Sequence, residues 1–165
     1  MAVHEHKRLS KPNLKVGVIT ASDSRTPETD SSGQLIRERL EAEGHTVAVY
    51  EIVPDSAERI ASAVLEHLPA LDAIIVNGGT GIAARDVTIE ALRPLLKKEL
   101  EGFGEIFRAL SYQEIGAAAM LSRALAGVRD GKFIAALPGS TAGCRLAMEK
   151  LIVPEIGHIA YLLSQ

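Results

Sequence analysis

The stretch Asp72-Ala-Ile-Ile-Val-Asn-Gly-Gly-Thr-Gly81 decides how the rest of the chain is read. Residues 72–76 form a short apolar run, too brief for a membrane span and free of polar alternation, the pattern of a strand buried on both faces. It runs straight into glycines, which lack Cβ and let backbone N–H groups approach a ligand oxygen closely. In an open α/β sheet, ligands gather beyond the carboxyl ends of the strands, where this loop lies. The loop is neither a GK[ST] phosphate loop nor a G-x-G-x-x-G turn. Taken alone it fits a ligand loop or a tight strand-to-helix turn equally well.

Upstream, Lys15-Val-Gly-Val-Ile-Thr-Ala21 is a second apolar run, followed by a loop broken at Pro27. Ser31 or Ser32 can cap a helix that stops near Gly44 and buries Leu35, Ile36 and Leu40. Residues 46–53 read as a strand. Asp55 then occupies an N-cap position, with Glu58 three residues later, for a helix ending near His67. A short helix carrying Ile89 and Leu92 is expected from about residues 86–88. This strand–helix alternation implies a parallel sheet covered on both faces.

Downstream, residues 102–122 read as mostly helical, with Ala117-Ala-Ala119 allowing close backbone approach. Two apolar runs flank Asp130-Gly131, a two-residue hairpin signal that makes the sheet mixed. Helices are expected over residues 141–151 and again after Pro154. The expected fold is α/β: three layers, α/β/α, around a mostly parallel, mixed central sheet. Residues 1–14, polar and carrying Pro12, read as a flexible N-terminal arm, and residues 15–165 as one domain.

Composition narrows the function classes. Of 165 residues, 47% are hydrophobic and 24% charged, an ordinary globular balance. The formal charge of −3 offers no basic field for nucleic acid. No apolar run approaches the ~20 residues of a membrane helix, and residues 1–14 lack the apolar core of a secretion signal. One cysteine, Cys144, excludes an internal disulfide and fits the reducing cytoplasm. It reads as a small buried hydrophobe. His4 and His6 read as solvated residues of the arm, and His45, His67 and His158 as helix-end residues.

Small polar groups recur at the strand ends. Asp55 and Asp86 can be helix N-caps or carboxylates facing a shared cleft, with Asp86 able to hold Mg²⁺. Ser22-Asp23 and Pro138-Gly139-Ser140 can be capped turns or phosphate contacts. No G-x-S-x-G elbow supports a serine hydrolase.

These blocks, in order, resemble one family. Asn77-Gly-Gly-Thr-Gly81 with Arg85-Asp-Val-Thr88 resembles the signature of the MoaB/MogA proteins of molybdenum cofactor biosynthesis. Thr20-Ala-Ser-Asp23, Asp30-Ser-Ser-Gly33, Val53-Pro-Asp55, Met120-Leu-Ser-Arg123 with Ala126-Gly127, and Leu137-Pro-Gly139 resemble its other motifs, covering residues 15–155. The leader and Ser111-Tyr-Gln-Glu-Ile-Gly116 are more similar to the MoaB-like branch. The resemblance implies a molybdopterin-binding domain. It implies an adenylyltransferase that joins AMP from ATP to the molybdopterin phosphate with Mg²⁺, or a catalytically silent carrier or scaffold. It further implies a cytoplasmic homotrimer or homohexamer working with other molybdenum cofactor biosynthesis proteins, with no nucleic acid or membrane partner. Carried onto this chain, Asp55 and Asp86 are the catalytic positions. Ser22, Asp23, Gly78, Gly79, Thr80, Gly81, Ser111, Pro138, Gly139 and Ser140 line the molybdopterin or phosphate site. Ser140 stands where some relatives have Asn.

Overall fold

The structure, a computed structural model, describes Glu5 and residues 8–165. His4 and His6 lie outside the described residues.

Its frame is β1 (Lys15–Ala21), β2 (Thr46–Val53), β3 (Ala73–Asn77), β4 (Lys98–Glu99), β5 (Leu125–Arg129) and β6 (Lys132–Leu137). They form one sheet in the order β2-β1-β3-β6-β5-β4. The expected strand over residues 72–76 is β3, shifted by one residue. It lies between β1 and β6, parallel to both, and every one of its residues is buried. Two-sided burial explains its unbroken apolar run. β5 and β6 pair antiparallel through Asp130-Gly131, whose φ angles of 49° and 73° are those of a tight two-residue hairpin turn. The sheet is therefore mixed, as expected. The short edge strand β4, antiparallel to β5, carries too few residues to leave a periodic signal.

Helices cover both faces. On one side lie α1 (Ser31–Ala42), α4 (Glu101–Ile115), α5 (Thr141–Ala147) and α6 (Val153–Leu163). Ile36, Leu40, Phe107, Cys144, Met148 and Ile156 pack there against Val16, Val18 and Ile75. On the other side α2 (Ala57–His67) and α3 (Thr88–Leu92) bring Ile60, Val64, Ile89 and Leu92 against Ile19, Ile74 and Val76. Leu35, Ile36, Leu40, Ile89 and Leu92 are buried as their periodicity requires.

Several local expectations change. Neither Ser31 nor Ser32 caps α1; Asp30 does, accepting from the Gly33 N–H at 3.0 Å. Ser56, not Asp55, caps α2 by accepting from the Arg59 N–H. The helical stretch 102–122 breaks at Gly116 (φ 63°), beyond which residues 116–121 form a 3₁₀ turn. Within it only Ala119 is buried; Ala117 and Ala118 face outward. Residues 141–163 form one continuous rod. A π-turn, Met148–Ile152, joins α5 to α6 and absorbs the missing N–H of Pro154 in the first turn of α6. The chain is also tied down before Lys15. The Lys11 N–H bonds to the Gly157 carbonyl at 2.9 Å, and Leu14 is buried in the core. No helix among the described residues is long and apolar enough to cross a membrane.

Candidate functional site

Because β2, β1, β3 and β6 are parallel, their carboxyl ends, at Val53, Ala21, Asn77 and Leu137, lie along one edge of the sheet. The loops that follow converge there on a cleft of about 380 Å³. β2 and β3 flank β1 on opposite sides, so the chain reverses direction across the sheet at β1, the place where α/β sheets open a crevice. Ser22, Asp23, Asp55, Gly78, Gly79, Asp86, Gly139 and Ser140 all line this cleft.

The glycine loop needs glycine for backbone reasons. Gly78 and Gly79 have φ angles of 89° and 66°. A Cβ on Gly78 would meet the Ala21 carbonyl oxygen, and one on Gly79 the Thr88 hydroxyl. Thr88 clamps the turn: its hydroxyl donates to the Gly78 carbonyl at 2.7 Å and its N–H to the Gly79 carbonyl at 2.9 Å. The N–H groups of Gly79, Thr80 and Gly81 have no hydrogen-bond acceptor among the described residues. Successive free N–H groups on a positive-φ turn make a concave anion seat.

Three carboxylates face this seat. The Asp55 N–H donates to Asp23 Oδ1 at 2.9 Å, so Asp23 turns toward Asp55. Burial first, then the neighbouring charges of Asp23 and Asp86, raise Asp55 above the ordinary carboxylate range, while Arg85 opposes the shift. Asp86 is no helix cap. Val87 holds that position in α3 without a side-chain bond, and Asp86 Oδ2 instead accepts from the Ala83 N–H at 3.0 Å. Neither predicted catalytic aspartate is thus explained by capping. Among the described residues no group of three or more His, Cys, Asp or Glu side chains is arranged to hold a metal ion. Asp55 and Asp86 are oxygen donors of the kind a hard cation such as Mg²⁺ takes, one or two carboxylates plus substrate phosphates.

Ser22 Oγ accepts from the N–H groups of Ser24 and Arg25, and Ser140 Oγ from Gly143 N–H at 3.1 Å; each hydroxyl proton can still be donated into the cleft. The other expected residues lie elsewhere. Thr80 is buried, and Gly81 faces a second hollow with Glu90 and Arg123. Ser111 lies inside α4. With Pro138 it lines a separate small cavity of about 80 Å³, in whose wall Ser140 also stands.

Behind the cleft runs a buried polar network whose roles were not evident from sequence. Asp30, fully buried, accepts from Thr20 Oγ1 and Tyr50 OH at 2.6 Å each, and from Arg25 at 3.3 Å. Burial pushes its pKa up, but these donors and the Gly33 N–H outweigh it and hold the carboxyl below the usual range. Tyr50 is driven upward by burial and by Asp30. Asn77 donates to Thr20 Oγ1 at 2.9 Å, and Arg25 and Ser32 both donate to the Gly139 carbonyl. Asp30 thereby links the ends of β1, β3 and β6. Asp30, Thr20 and Asn77 stood inside recognisable motifs; Arg25 carried no signal.

Comparison with known proteins gives the family. Residues 17–158 match a family described as "Probable molybdopterin binding domain". The chain is 52% identical to molybdenum cofactor biosynthesis protein B of Bacillus anthracis, covering 100% of this chain and 99% of that protein. A crystal structure of a molybdenum cofactor biosynthesis protein B superposes with a TM-score of 0.91 at 51% identity, covering 94% of this chain and 98% of the other. The tungsten cofactor synthesizing protein MoaB from Pyrococcus furiosus superposes at 0.84 with 40% identity, covering 93% and 98%. The chain belongs to the MoaB/MogA family of molybdenum cofactor biosynthesis proteins.

Proposed function

We propose that this chain adenylylates molybdopterin with ATP and Mg²⁺ in the cleft above β1 and β3. The observation that carries the reading is the placement of Asp55 and Asp86. Both face the Gly78-Gly79 turn, neither caps a helix, and burial, then the nearby charges of Asp23 and Asp86, disfavour the ionised form of Asp55. Carboxylates kept in such a position suit cation and nucleotide chemistry better than fold stability.

In this reading a terminal phosphate oxygen of molybdopterin attacks the α-phosphorus of ATP. The bond to the bridging β-phosphate oxygen breaks, and pyrophosphate leaves. Mg²⁺, when bound, neutralises the phosphates during transfer. The free N–H of Gly79 seats a phosphate, Ser22 and Ser140 donate to anionic oxygens, and Arg85 offsets the charge at the rim. Asp55 and Asp86 orient the hydrated cation side of the nucleotide. Asp23, an anion beside Asp55, suits the same side better than direct contact with a phosphate.

The reading extends to a cytoplasmic homotrimer or homohexamer that passes its product to other molybdenum cofactor biosynthesis proteins. Exposed Ile106, Tyr112, Ile115, Met120 and Leu121 support self-association; a monomeric mass in light scattering would exclude it.

Turnover of molybdopterin, ATP and Mg²⁺ to adenylyl-molybdopterin and pyrophosphate tests the chemistry. Asp86→Asn should abolish product while leaving molybdopterin bound. Absence of product from the wild-type protein, with molybdopterin retained, would leave the carrier reading in its place.

A further inference from the structure

Arg123 lies just beyond the 3₁₀ turn, ahead of β5, and outside the main cleft, reaching its lining only at the Asp86 carbonyl. Its guanidinium gathers carbonyls instead. Nε donates to Thr80 O at 2.9 Å and to Gly81 O at 3.1 Å. Nη2 donates to Gly81 O at 2.8 Å and, at 3.4 Å, to Asp86 O. Glu90 holds the other edge of the fork, at 2.5 Å from Nη1. One side chain thus binds both ends of the segment from Thr80 to Asp86.

The peptide bonds of residues 80–87 are trans, so a carbonyl turned toward Arg123 sends the next residue's N–H the opposite way. Arg123 therefore sets the direction of the Gly81 and Ile82 amides and fixes the backbone that carries the Asp86 carboxylate. Charge-assisted bonds are stronger than neutral ones, and a planar five-donor fork can serve several carbonyls that a lysine point charge cannot.

We infer that Arg123 is a positioning residue: it locks the glycine loop and Asp86 into one unit, with Glu90 orienting the guanidinium. The inference rests on the proposed adenylylation. It assigns Arg123 no contact with either substrate.

The test compares wild type with Arg123→Lys, Arg123→Ala and Glu90→Gln. Steady-state turnover is read alongside hydrogen exchange of the free proteins. Misplacement by about 1 Å costs on the order of 100-fold in rate. Both Arg123 variants should therefore lose about that much kcat, with KM for ATP and molybdopterin changed less than about threefold, because substrate contacts remain. Added guanidinium, far below denaturing concentrations, should restore part of the Arg123→Ala rate. Glu90→Gln should lose less, since the carbonyl contacts survive. Amides of residues 80–87 should exchange faster in Arg123→Ala while those of β1 and β3 do not. Wild-type kcat in Arg123→Ala, or unchanged exchange over residues 80–87, would overturn the inference. If wild type itself yields no product, adenylylation fails on its own. Arg123 is then judged by exchange alone, where unchanged exchange over residues 80–87 in Arg123→Ala overturns it.

Discussion

Replacing Asp30 by Ala should cost this protein about 3–5 kcal/mol, the usual penalty for breaking a buried, hydrogen-bonded charge. The figure follows from its contacts. The carboxylate is fully buried and accepts from Thr20, Tyr50, the Gly33 N–H and Arg25. Four bonds to a charge, at roughly 1.5–3 kcal/mol each, would sum to more. Arg25, however, is 31% exposed and keeps its bond to the Gly139 carbonyl, so it rehydrates. Tyr50 is half-buried and recovers partly. The Thr20 hydroxyl and the Gly33 N–H are left without an acceptor, and the helix cap is lost. For a chain of this size each kcal/mol moves the melting point by roughly 2–4 °C, so a fall of about 6–20 °C is expected. Asp30→Asn keeps a capping oxygen and should lose less; Tyr50→Phe should lose about 1 kcal/mol. The pH dependence carries the same sign. Because the folded carboxyl titrates below its ordinary 3.8, its stabilisation is present above that value and is lost as pH falls through the folded pKa. Asp30→Asn should flatten that acid limb. Denaturant melts showing a loss below about 1 kcal/mol for Asp30→Ala would refute the network as drawn.

Asp55→Asn should behave oppositely: turnover falls at least about 100-fold, while stability at neutral pH is unchanged or rises by up to ~1 kcal/mol. The raised Asp55 pKa means that ionisation costs stability above the unfolded value of 3.8, and Asn removes that cost; a clear loss in thermal melts would contradict it. Gly79→Ala should destabilise by about 1–3 kcal/mol, since φ is 66° and the methyl would press on the Thr88 hydroxyl. Loss of molybdopterin binding in the folded variant is the accompanying readout. His45 accepts the Leu14 N–H at 3.2 Å, and burial lowers its pKa from 6.5. Its contribution is full above pH 6.5 and declines as pH falls through the folded value, so a melting profile from pH 7.5 to about 5 should slope downward and flatten in His45→Gln.

The layers of this fold were legible because burial imposes period and run length directly on the residues. β3 is apolar at nearly every position since both its faces are covered, and Asp130-Gly131 announces its hairpin through the positive φ both residues need. Helix starts were less legible. Asp30, Ser31 and Ser32 are all competent caps, and only the tertiary placement of Thr20 and Tyr50 selects Asp30. Likewise Asp55 and Ser56 both suit the start of α2, and Asp23 decides between them by taking the Asp55 N–H. The site followed the same division. Strand ends marked by glycine, serine and aspartate were visible, whereas Arg25 and Arg123 act on backbone carbonyls 114 and 43 residues away, a relation no local spacing encodes. Ser111 shows the converse limit: the resemblance assigned it to the phosphate site, whereas it lines a separate cavity.

The aspartates at the strand ends divide into two physical kinds. Asp30 is surrounded by donors, caps a helix and is held ionised; the fold is more stable for having it. Asp55 has a serine beside it that does the capping, and its neighbours Asp23 and Asp86 oppose its charge. A sequence shaped only for stability would replace it, since Asn or Ser at that position would keep the Asp23 contact through the backbone N–H and relieve the repulsion. Keeping a carboxylate where the fold resists it makes sense when a cation arrives to offset it. Added Mg²⁺ with ATP should therefore stabilise the wild-type protein by more than it stabilises Asp55→Asn, because the bound cation relieves a repulsion that the variant lacks. Equal shifts in melting temperature for the two proteins would show that the crowded carboxylates do not meet the cation, and would move Asp55 out of the transfer site.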